Sequence, residues 1–133
     1  MRTTWQPLSN ETKPLTFLLA LTFSFLFSSV VFGDDYQDGV DAYKRKDYKT
    51  AYKLWLPLAE QGNAKAQYNL GVMYAKGRGF PQDYILAHMW LNLSGANGYK
   101  RGIKLRNLAE KKMTASQIEK ARELARNWKP TSK

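Results

Sequence analysis

From Asp38 onward, apolar residues return every three or four positions with polar residues between them, the period of a helix with one buried face. Ala51, Tyr52, Leu54, Trp55, Leu58 and Ala59 form such a stripe over residues 48–61, and Gly62-Asn63 closes it as a left-handed cap would. Pro57 inside that stretch removes one backbone donor, which predicts a kink or a loosened last turn. Ahead of it, Asp38 to Arg45 reads as a short helix with Val40 and Tyr43 on one side. Lys44, Arg45 and Lys46 suit its carboxyl end, and Asp47 is the N-cap of the next helix. Over residues 64–75, Ala66, Leu70 and Tyr74 stack at four-residue steps. Gly71 within that helix costs about 1 kcal/mol relative to alanine, so its presence predicts close approach of a neighbouring helix.

Lys76-Gly77-Arg78-Gly79 breaks the period, since two glycines permit positive φ in a tight connection. Pro81 and Asp83 open a fourth helix whose inward residues are Ala87, Trp90, Leu91 and Ser94, with Gly95, Asn97 and Gly98 ending it. A fifth spans Lys100 to Lys112 with Ile103, Leu108 and Ala109 inward. Thr114-Ala115-Ser116-Gln117 is a capping box. The last helix carries Ile118, Ala121, Leu124, Ala125 and Trp128 as its apolar stripe, with Glu119–Arg122 and Glu123–Arg126 three apart on the wet side. Lys129-Pro130 ends it.

The pattern also repeats. Asp47-Tyr48, Ala51 and Gly62 return as Asp83-Tyr84, Ala87 and Gly98, each 36 residues later. A fixed period of this size marks stacked helical units that bury their apolar faces only against each other. The fold expected is all-α: a short α/α superhelical solenoid of about six helices after an N-terminal hydrophobic leader.

That leader is Leu15 to Phe32, an almost uninterrupted apolar run with Arg2 and Lys13 before it and Asp34, Asp35, Asp38 and Asp41 after it. Residues 1–33 therefore read as a signal peptide, cut after Gly33, or as a signal anchor held by residues 15–32. The long polar segment ahead of the run counts against a standard signal. Either way the charge asymmetry exports the part that follows, to the periplasm or the exterior. The four aspartates lack the glycine and the terminal glutamate of a calcium loop, and read as a soluble stub. The chain has no cysteine, which excludes a disulfide framework and a lipid-modified cysteine. What remains after Gly33 is one small domain of modest core.

Charge is concentrated at one end. The whole chain has a formal net charge of +10, and from Tyr99 onward 11 basic residues meet only Glu110, Glu119 and Glu123. Lys100, Arg101, Lys104, Arg106, Lys111 and Lys112 are thus candidate contacts for an anionic envelope component or another polyanion. The competing reading is a solvated helix face. No nucleic-acid motif is present, and export argues against that partner. For chemistry the sequence offers little. His88, the sole histidine, sits at the edge of an apolar stripe and reads as a packed, hydrogen-bonded imidazole. No catalytic residue, metal site or cofactor is expected. Lys76 to Gly79 lacks the preceding strand and the Gly-Lys-Ser/Thr ending of a phosphate loop.

Ala64-x-Ala-Gln-Tyr-Asn-Leu-Gly, then Tyr74, Gly77-x-Gly79, Asp83, Ala87 and Trp90, resemble a Sel-one-like repeat, a relative of the tetratricopeptide repeat. The resemblance covers residues 64–98 as a full repeat and 38–63 as a copy with a connection four residues shorter. Residues 99–133 look like a basic helical cap. It implies a non-catalytic scaffold that holds a protein or peptide partner in the solenoid groove. The first helix of each pair lines that groove in related solenoids, so Lys65, Tyr68, Val72 and Lys76, opposite Leu70 on the third helix, are the candidate partner-binding residues. Some secreted relatives staple each repeat with a disulfide and are linked to β-lactam binding or slow hydrolysis; without cysteine, that transfer is weakened. Two repeats and a cap fall short of the three units arrays generally need, which predicts a homodimer or stabilisation by a partner.

Overall fold

The computed structural model describes residues 34–131. The chain divides into two units, Met1–Asp34 and Asp35–Lys133, and the second holds the repeats. The expected leader and anchor lie outside the described residues. Six helices and no strand occur among those described: α1 (residues 34–44), α2 (Tyr48–Glu60), α3 (Ala64–Lys76), α4 (Tyr84–Ala96), α5 (Lys100–Glu110) and α6 (Ala115–Asn127). No described helix is long and apolar enough to cross a membrane.

α2, α3, α4 and α6 each start where a side chain satisfies a free amide, whereas Tyr99 ahead of α5 makes no such bond. Asp47 accepts from Thr50 N at 3.3 Å, Asn63 from Ala66 N at 3.0 Å and Asp83 from Leu86 N at 3.0 Å. The Thr114–Gln117 capping box forms in both directions. Asn63 therefore opens α3, and Gly62 alone, at φ 97°, takes the left-handed turn after α2. Pro57 stays within a continuous α2. Pro81 lies outside α4, ahead of its Asp83 cap. The Asp34–Asp41 stretch is helical, so α1 starts earlier than the periodicity predicts and those carboxylates ride on its surface. The shortened first connection closes on Lys46 at φ 64°, a left-handed position that a glycine holds in the second repeat, where Gly77 is at φ 63°.

Packing follows the repeat. α3 lies between α2 and α4, and α4 packs on α3, α5 and α6. Glycines set the closest contacts. Gly39 of α1 lies under the Trp55 ring of α2, and Gly71 of α3 lies under Leu91 of α4, where an added Cβ would come within 2.6 Å of Leu91 Cγ. Trp55 and Leu91 are themselves 36 residues apart, so the same contact recurs in each unit. The core contains Ala51, Trp55, Leu58, Leu70, Met73, Trp90 and Leu93. Two buried polar side chains are paired across elements: Gln67 Nε2 donates to Ala59 O at 3.0 Å and its Oε1 accepts from Asn97 Nδ2 at 3.0 Å. Ser94 Oγ donates to Ala64 O at 2.7 Å.

The cap departs from expectation on both of its helices. Leu108 is 55% exposed and Ile103 38%, although both were placed inward from their hydrophobicity. Of the three residues expected inward only Ala109 is buried, and Gly102 is buried beside it. A Cβ on Gly102 would meet Leu91 O at 2.7 Å and Gly95 N at 2.9 Å, so α5 approaches α4 along its small residues, with Ile103 at the edge of the contact over Gly95 and Leu108 turned outward. On α6 the expected three-apart ion pairs are also replaced: Arg126 reaches Glu119 at 2.9 Å and Arg122 crosses to Glu110 of α5 at 3.3 Å. Beyond α6, Thr131 N donates to Glu60 O at 2.9 Å and ties the tail to the end of α2.

Candidate functional site

A groove of about 310 Å³ opens between α1 and α3, floored by α2. Tyr36, Val40, Tyr43 and Lys44 line it from α1, Trp55 from α2, and Tyr68, Asn69 and Val72 from α3. Its construction starts at Gly39. The missing side chain there lets Trp55 lie against α1, and Trp55 Nε1 donates to Tyr36 O at 3.1 Å. The indole then meets the Tyr36 ring at 6.2 Å and the Tyr43 ring at 5.7 Å between centroids. Arg78, from the glycine-rich connection, fixes the far end: its guanidinium donates to Tyr43 Oη and lies 5.2 Å over the Tyr43 ring centroid. Asn69 Nδ2 donates to Tyr36 Oη at 3.3 Å, which links α3 to α1 across the groove. Rings held by neighbours at both edges lose little freedom when a ligand covers them.

The four residues expected on this face separate in space. Tyr68 and Val72 are half-buried and line the groove, with Tyr68 edge-on to Tyr99 at 5.1 Å. Lys65 is exposed and lines neither groove described here. Lys76 belongs to a second groove of about 190 Å³ with Ala75, Tyr84, Leu105, Leu108, Ala109 and Lys112. Sequence reasoning missed the α1 wall and Trp55, because the alternate contribution of α1, α2 and α3 is a property of stacking and not of any one helix.

The basic candidates are also divided. Lys100, Arg101, Lys104, Lys111 and Lys112 are exposed, whereas Arg106 is half-buried and donates to Asn92 Oδ1 at 2.6 Å. Arg106 thus joins α5 to α4 and is withdrawn from the basic surface. Arg101 Nη1 donates to Tyr99 Oη at 3.4 Å, and Lys112 Nζ lies 6.0 Å over the Tyr84 ring.

His88 is fully buried on α4, with Nε2 at 2.8 Å from Glu110 Oε1. That hydrogen bond first, and the charges of His88 and Arg122 after it, hold the Glu110 carboxyl below its ordinary range. An ionised carboxylate only accepts, so His88 Nε2 carries the proton. The Nδ1 atom has no partner. A buried imidazole committed to this bond has no path to a substrate and works as a joint between α4, α5 and α6. Burial, then the Tyr52 hydrogen bond, pushes the Tyr74 phenol far above its ordinary value. No group of three or more His, Asp or Glu side chains converges among the described residues.

The hairpins α1–α2 and α3–α4 fall within two segments that a known repeat family matches. The Sel1 repeat matches residues 33–63 and 64–99, just over half of the chain. The chain belongs to the Sel1 repeat family. It is also similar to the DAP3-binding cell death enhancer 1 of Mus musculus, 35% identical over 65 residues. That match covers 49% of this chain and 10% of the mouse protein. No solved structure matches the chain at the same stringency. Sel1 repeats commonly mediate protein interactions and are generally non-catalytic, which suggests a protein-interaction role.

Proposed function

We propose that this Sel1 repeat protein is a non-catalytic adaptor of the periplasm or cell exterior that holds an extended peptide segment of a protein partner against α1 and α3. The observation that carries the reading is the aromatic groove, in which Tyr36, Tyr43, Trp55 and Tyr68 converge on a space lined by Val40 and Val72. Rigid aromatic side chains in a partly desolvated cleft are the usual centres of binding energy. Asn69 supplies a polar atom to a bound backbone, and Lys44 at the rim favours an acidic residue next to an aromatic or aliphatic anchor. Export is supported by the order basic flank, apolar run, acidic flank in residues 2–41.

Tyr68→Ser combined with Val72→Asp is the test. Partner capture from envelope extracts, followed by crosslinking and mass spectrometry, is expected to fall by about tenfold or more, as loss of an aromatic anchor predicts. Far-UV circular dichroism is expected to stay that of the parent. Equal capture by both proteins would overturn the groove assignment.

The small number of units gives a second expectation. Two repeats and a cap leave outer faces that arrays normally cover, so self-association or a partner is proposed to complete the domain. The melting temperature is then expected to rise with protein concentration, as mass action requires for a dimer. A melting point constant across the accessible concentration range would remove the homodimer.

A further inference from the structure

The exposed face of α5 joins two features that the adaptor reading does not use. Leu108 is 55% exposed, and its neighbours on the helix surface are Lys104 four residues before, Lys111 three after, Lys112 four after and Arg101 seven before. Among the described residues, none of these four cations has an acidic partner within ion-pair distance. The helix dipole accounts for Lys111 and Lys112 at the carboxyl end of α5, but not for Lys104, Arg101 or the leucine they surround. Ile103, the other exposed large apolar residue, behaves differently: it packs over Gly95 of α4. Leu108 instead borders the second groove, whose floor is Tyr84, Leu105 and Ala75 with Lys76 on the opposite rim.

We infer that this face docks on an anionic lipid bilayer, with Leu108 entering the interface and the ring of cations meeting the phosphates. A nucleic acid or other polyanion would engage the cations and leave the leucine in water. A bilayer interface takes both, and a helix lying in that interface presents this arrangement of apolar centre and Lys/Arg border. Charge complementarity favours it further, since the segment from Tyr99 onward has an excess of eight positive charges over negative ones. The groove on α1 and α3 involves none of these residues, so the domain could hold a peptide and lie on a membrane at once.

The absence of cysteine makes a site-specific probe simple. Asn107→Cys, exposed beside Leu108, carries an environment-sensitive fluorophore in the full chain; Lys53→Cys on α2 carries it in the control. Each protein is mixed with vesicles of phosphatidylcholine alone or of phosphatidylcholine with phosphatidylglycerol. Any insertion of residues 15–32 is common to both vesicle types and to both labels. The expected result is a blue shift of the 107 probe with anionic vesicles only, absent for the 53 probe. Neutralising Lys104 and Lys111 is expected to weaken the response about fivefold per lysine, and Leu108→Asp to abolish the shift. No shift at 107, or equal shifts at 107 and 53, would overturn the inference. So would a response to an oligonucleotide that matches the vesicle response and survives Leu108→Asp, which would assign the face to a polyanion.

Discussion

Gly102→Ala is expected to destabilise the domain although alanine is the better helix former. Propensity alone favours the substitution by about 1 kcal/mol. The added Cβ, however, would stand 2.7 Å from Leu91 O, 2.9 Å from Gly95 N and 2.9 Å from Ser94 Cβ. Two of these are backbone atoms in the C-terminal half of α4, and Ser94 is held by its 2.7 Å bond to Ala64 O. No side chain can rotate out of the way, so α5 must move off α4. That movement also strains the Arg106–Asn92 bond and the seat of Ala109. Overpacking of this kind costs about 1–3 kcal/mol, occasionally more, and the loss of inter-helix bonds adds to it. A net loss of about 2 kcal/mol lowers the melting temperature of a domain this size by roughly 10 °C. Asn107→Ala, on the exposed side of the same helix, is the comparison and should leave the melting point within a degree or two of the parent. A Gly102→Ala protein that melts with the parent would mean that α5 is not seated as described.

That glycine also shows which parts of the molecule the sequence made legible. Helix number, caps and the glycine connection came through because they depend on local chemistry: Asp47, Asp83 and Thr114 bond amides three residues away. The 36-residue offset carried the fold, because Trp55 and Leu91 occupy the same place in successive units. The error on α5 came from reading hydrophobicity as inwardness. Where a helix packs on glycine and alanine, the buried side is the small side, and Ile103 and Leu108 give the opposite signal. Only part of the α3 wall of the candidate groove was legible, for a related reason. Tyr68 and Val72 lie on the face opposite Leu70, which helical periodicity fixes, but Tyr36, Tyr43 and Trp55 join them only through stacking of three helices. Lys65 and Lys76 share that face by angle, yet one lines neither groove and the other a different one, since a helix thirteen residues long passes more than one neighbour.

Glu110→Ala should be the most damaging substitution of a partly exposed side chain in the cap. Its carboxylate is the sole partner of the fully buried His88, accepting from Nε2 at 2.8 Å, and it also receives Arg122 of α6 at 3.3 Å. Removing it leaves both imidazole nitrogens unpaired in the interior, a cost of about 1–3 kcal/mol. Glu119→Ala breaks an ion pair whose two side chains are each more than 60% exposed and screened by solvent, and should cost far less. In a His88→Leu background no buried donor remains to be orphaned, so Glu110→Ala should become nearly neutral there. A double-mutant cycle is expected to give a coupling of about 1 kcal/mol or more. The pH dependence follows from the lowered carboxyl. A group whose folded value lies below its unfolded one contributes fully above the unfolded value and loses that contribution as pH falls through the folded one. The Glu110 contribution is therefore complete above its ordinary value of 4.5 and declines below it. The stability gap between the parent and Glu110→Gln should be constant near neutrality and close as the solution is acidified past that point. A gap that persists at low pH, or a cycle with no coupling, would show that the His88–Glu110 bond does not hold α5 to α4. If the coupling is found, the same joint orients the Leu108 face. Glu110→Ala should then weaken the response of the residue-107 probe to anionic vesicles without altering a single lysine.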